Sequence, residues 1–101
     1  MMRLSGEQIT TVLNITHEVM GDDATISVFG SRLDDARRGG DLDLLLESPQ
    51  RPTLLQRAEL KLRLEAALDM PVDIVARAIS AAPTPFQRVA MARSIRLESG
   101  R

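Results

Sequence analysis

Residues 41–47 read Asp-Leu-Asp-Leu-Leu-Leu-Glu, and few structures accommodate such a string. In a strand alternate residues share a face, so Asp41 and Asp43 point one way and Leu42, Leu44 and Leu46 the other. Two carboxylates side by side repel unless positive charge lies between them, and a divalent metal is the usual answer. Upstream, residues 24–29 are β-rich and read as a strand that ends at Gly30-Ser31. A Gly-Ser turn offers backbone N–H groups and a hydroxyl, which suit phosphate oxygens. Residues 28–47 therefore read as a metal-plus-triphosphate site.

The rest of the chain divides into short elements. Ser5 and Gln8 have capping-box spacing. A helix is expected over 6–20, with Ile9, Val12, Leu13, Thr16, Val19 and Met20 on one stripe and Gly21 at its end. His17, the sole histidine, falls beside that stripe and reads as a half-exposed helix residue, because no second histidine completes a ligand set. Ser31 could cap a short helix over 32–38, with Asp34 and Asp35 as first-turn charges and Arg37 and Arg38 near its end. Thr53 and Gln56 form a second capping box, opening a helix that runs to about residue 69. On it, Leu55, Ala58, Leu62 and Ala66 are expected to cover a sheet. Leu60, Leu64 and Leu68 lie roughly opposite, as scattered surface leucines or as a protein contact face. A third strand is expected over 72–76, with Asp73 inside it. Burying that acid unpaired would be costly, so it needs a reason to be there. Thr84-Pro85 reads as an N-cap with proline at the first helical position. Residues 95–97 add a short strand or dock on that last helix, and the tail from 99 is expected to fray.

Composition narrows the function classes. With 101 residues there is room for one small domain, expected to span 1–101. A formal net charge of −1 argues against a general nucleic-acid coat, and two Phe without Trp or Tyr leave little for base stacking. The absence of cysteine removes thiolate metal sites and cysteine nucleophiles, and suits a reducing cytoplasm. No apolar run reaches the length of a membrane span, and the N-terminus lacks the apolar core of a signal peptide.

Taken in order, Gly30-Ser31, the pair Asp41 and Asp43, and the later Asp73 resemble the signature of the nucleotidyltransferase superfamily of DNA polymerase β. Arg32 after the Gly-Ser, and Ala36-Arg37 before the acids, resemble its minimal bacterial members in particular. Gly40 departs from the pattern, since relatives often carry Ser or Thr there. The resemblance implies an α+β core: a small mixed sheet of three to four strands with helices packed on it. It implies two Mg²⁺ ions held by Asp41, Asp43 and Asp73, and a nucleoside triphosphate, ATP, held by Gly30 and Ser31. Arg32 or Arg37 would neutralise phosphate charge, though each reads equally well as a solvated surface charge. Minimal members pair with small helical proteins of the HEPN type, so the implied activity is that of an antitoxin transferring AMP to a hydroxyl of its toxin. Leu60, Leu64 and Leu68, together with residues 85–97, are the expected partner surface. Two other readings stay open: a binding module that acts by occlusion, and transfer to a small molecule or RNA. Homodimer and hetero-oligomer are both open.

Overall fold

The computed structural model describes residues 4–29 and 42–98. Helix α1 (Gly6–Met20) starts at Ser5, whose hydroxyl accepts from the Gln8 N–H while the Gln8 side chain accepts from the Ser5 N–H. It stops at Gly21, whose φ of 90° is open to glycine at little steric cost. Strand β1 (Thr25–Phe29) follows, then β2 (Leu42–Ser48). Helix α2 (Leu54–Leu68) opens on the Thr53–Gln56 box and closes on Asp69 in the left-handed conformation. Strand β3 (Val72–Ala78), helix α3 (Pro85–Ala92) and the two-residue strand β4 (Ile95–Arg96) complete the order. Thr84 caps α3 with Gln87 as its reciprocal partner and Pro85 at its start. Three helices thus begin on the same device, each satisfying amide donors that the first turn leaves open. The short helix expected over 32–38 and the tail from residue 99 lie outside the described residues.

The strands form one mixed sheet in the order β3-β2-β1-β4. β1 is antiparallel to β2 and to β4, whereas β2 and β3 run parallel through the α2 crossover. Ile26, Val28, Leu42, Leu44, Leu46 and Val72 point to one face and are buried against Val12 and Leu13 of α1 and Leu60, Leu64 and Leu68 of α2. The opposite face carries Asp43, Leu45 and Glu47 of β2, with Asp73, Val75 and Arg77 as their β3 partners. Strand β3 runs two residues past its expected end. Arg77 is buried there, paired with its register partner Glu47 at 2.6 Å, and the ladder continues through the Ile79 N–H to the Ser48 carbonyl at 2.8 Å.

Helix α2 is turned over from the expected orientation. Leu60 and Leu64 are fully buried, while Leu55 and Leu62 are 77% and 67% exposed. Both rows have helical spacing, so periodicity alone does not choose between them. The buried row holds three leucines and the exposed row only two with two alanines. Turning the all-leucine row inward removes more apolar area from water. Leu60, Leu64 and Leu68 are consequently core residues and not a partner surface.

Candidate active site

Local strand geometry sets the site. Asp43 alternates with the buried Leu42 and Leu44, so its side chain is on the far face of the sheet from the core. Within the parallel pair Asp43 is the register partner of Asp73. Partners in register share a face on strands about 4.8 Å apart, so the two carboxylates are neighbours. Asp43 is half-buried, whereas the Asp73 side chain is 63% exposed on the edge strand β3. That exposure answers the question its sequence position raised: Asp73 is mostly in solvent, not in the core.

On its other side Asp43 pairs with Phe29, the residue to which Gly30 is joined. Gly30, Ser31, Arg32, Arg37 and Asp41 themselves lie outside the described residues. Among the described residues no cluster of three metal-ligating side chains occurs. Asp43 and Asp73 supply two hard oxygen donors on one face, a set that suits Mg²⁺.

A network at the start of β3 was not legible in the sequence. The outward-facing N–H of Val72 donates to Glu65 Oε2 at 2.9 Å, and the Val72 carbonyl accepts from Lys61 Nζ. Lys61 Nζ is also 3.1 Å from Glu65 Oε2 and 4.0 Å from Asp73 Oδ1. The Val72 N–H, then Lys61, hold the Glu65 carboxyl below the usual carboxylate range. A shallow cleft of about 340 Å³, lined by Leu54, Arg57, Ala58, Lys61, Asp73 and Ile74, opens beside this network. The spacing of Lys61 and Glu65 signalled a helix-surface ion pair, but not that the pair would cap an edge strand.

His17 is exposed and lines a different cleft, of about 480 Å³, with Thr25 and Arg96. Thr25 is at the opposite end of β1 from Phe29, so His17 is not part of the acid pair.

The sequence matches the family model of the nucleotidyltransferase domain over residues 9–101. No curated protein matches it. Among solved structures, the chain resembles one from a complex of a tri-AMPylated Shewanella oneidensis HEPN toxin with its MNT antitoxin. That likeness has a TM-score of 0.71 at 19% identity, covering 95% of this chain and 74% of that one. A chain of a toxin–antitoxin structure with AMP-PNP gives 0.69 at 24% identity, covering 97% and 76%. A minimal nucleotidyltransferase gives 0.62 at 28% identity, covering 92% and 96%. The four-stranded mixed sheet and three helices among the described residues are accordingly those of the polymerase β-like fold. With the family model spanning nearly all of its length, the chain belongs to the nucleotidyltransferase domain family.

Proposed function

We propose that the chain is a Mg²⁺-dependent nucleotidyltransferase that moves AMP from ATP onto a hydroxyl of a small helical HEPN-type partner, acting as its antitoxin in the cytoplasm as one domain over 1–101. The observation that carries this reading is the register of Asp43 with Asp73, two carboxylates on one sheet face in a member of this family. The complexes with HEPN toxin that its structural neighbours come from support the choice of partner.

In this reading Asp41, Asp43 and Asp73 hold two Mg²⁺ ions. The metal supplies charge neutralisation on the triphosphate and a lowered pKa for the attacking hydroxyl. Gly30 lets the backbone approach the phosphates, Ser31 donates to them, and Arg32 or Arg37 offsets their charge. The acceptor oxygen attacks the α-phosphorus, the bond to pyrophosphate breaks, and the hydroxyl proton passes to Asp73. The acceptor is a tyrosine hydroxyl.

Incubation of the protein with its helical partner, ATP and Mg²⁺ is expected to add one or more AMP units to the partner by mass spectrometry. The Asp41→Asn, Asp43→Asn double variant is expected to slow this about a hundredfold or more. Unchanged modification by that variant would remove the acid assignment.

Occlusion without chemistry is a second reading, favoured by exposed apolar side chains on α2 and α3: Leu55, Leu62, Phe86 and Val89. Neutralisation of the partner would then survive the double variant and fail on polar substitution of those side chains. The net charge of −1 weighs against RNA as the acceptor.

A further inference from the structure

We infer that Lys61 is a built-in counter-cation of Asp73, balancing it while no divalent ion is bound and drawn back to Glu65 when one enters. The inference rests on the reading of Asp43 and Asp73 as metal-holding carboxylates.

Three acceptors converge on one ammonium. Lys61 Nζ donates to the Val72 carbonyl, is 3.1 Å from Glu65 Oε2, and is 4.0 Å from Asp73 Oδ1. Lysine has three donors on a flexible stem, so it can shift weight among such neighbours without leaving them. The register gives such a cation its effect: Asp43 and Asp73 are side by side, and like charges so placed repel. Lys61 offsets that repulsion from the β3 edge. Arg57 lines the same cleft one turn earlier, but its Nε is buried without a hydrogen-bond partner, and no ion pair joins it to Asp73. Among the described residues, Lys61 is the cation that reaches the Asp73 carboxylate.

A divalent ion at Asp73 reverses the electrostatics. The ammonium is then repelled by a nearby double charge, while Glu65 remains anionic and within hydrogen-bond reach. Lys61 therefore opposes metal entry, and Glu65 weakens that opposition. The two residues should act on metal affinity in opposite directions.

The test is Mn²⁺ titration of the full chain with a non-hydrolysable ATP analogue, reading free Mn²⁺ by electron paramagnetic resonance. Lys61→Met keeps most of the stem and removes the charge. It is expected to tighten Mn²⁺ binding about two- to fivefold, the scale of a solvent-exposed ion pair. Glu65→Gln still accepts from the Val72 N–H but frees Lys61 to face Asp73, and is expected to weaken binding by a similar factor. A purely structural clamp would weaken binding in both variants, so Lys61→Met binding that is unchanged or weaker overturns the inference. Should Lys61→Met fail to fold, Glu65→Gln decides: unchanged or tighter binding overturns it. Asp73→Asn separates the two levels. If the wild type binds no Mn²⁺, or Asp73→Asn binds it undiminished, the site reading fails and the inference with it. If Asp73→Asn loses Mn²⁺ while the other variants do not shift, the inference alone fails.

Discussion

Asp73 interrupts an apolar strand segment, and its place on the face away from the core explains how the fold tolerates it. Its side chain is on the sheet face away from the core and 63% exposed, so the charge stays hydrated beside Asp43. Glu65 is the carboxylate with a structural task. It accepts from an edge-strand amide and from Lys61, and both favour its ionised form. A carboxyl held below its usual value contributes stability above that value. The contribution is lost as pH falls through the ordinary 4.5 and on through the lowered value. Thermal melts across pH 3 to 7 are expected to show the wild type losing stability on acidification more steeply than Glu65→Gln, whose side chain does not titrate. Parallel curves would show that Glu65 gains nothing from its charge. Asp43 and Asp73 could be picked out from the sequence by type and strand context. Lys61 could not, because its meaning depends on a strand that arrives later in the chain.

Helix α2 shows where periodicity runs out. Its ends are written locally: Thr53 and Gln56 exchange hydrogen bonds across one turn, and Asp69 takes the left-handed cap. Its orientation is not, since leucines occupy both faces. Leu64→Ala is expected to cost about 2–5 kcal/mol, because it empties a fully buried site between helix and sheet. Leu62→Ala, on the exposed row, is expected to stay within about 0.5 kcal/mol. Urea unfolding of the two variants measures the contrast directly, and similar midpoints would contradict the observed orientation. The Glu18–Arg63 ion pair, with Glu59 at 3.5 Å from the same arginine, joins α2 to α1 on its flank. Side chains this exposed add little to stability.

At the scale of the molecule, the sheet has one face sealed by α1 and α2 and another that carries the acids. None of the described helices is long and apolar enough to cross a membrane. Most of the exposed large apolar side chains lie on α2 and α3, with Ile79 and Ile95 outside them, and Phe86, at 60% exposure, is the largest. Phe86→Gln is expected to leave the melting temperature within a few degrees, the shift that a surface change of about 0.5 kcal/mol produces. If the proposed helical partner is the right one, it is also expected to weaken binding to that partner about tenfold, as loss of an aromatic anchor does. Calorimetric titration against that partner checks this, and unchanged affinity would remove α3 from the partner surface. The chain's sequence by itself determined the features that act over a few residues: three helix starts, the apolar and acidic alternation of β2, and the order of Gly-Ser and acids that marks the family. Tertiary structure decided which face of α2 meets the sheet, that Asp43 stands beside Asp73, and that Lys61 reaches both Val72 and Asp73. Those outcomes depend on parallel pairing across a crossover. The free energy that selects such pairing comes from burying one whole face, which no local window of residues contains.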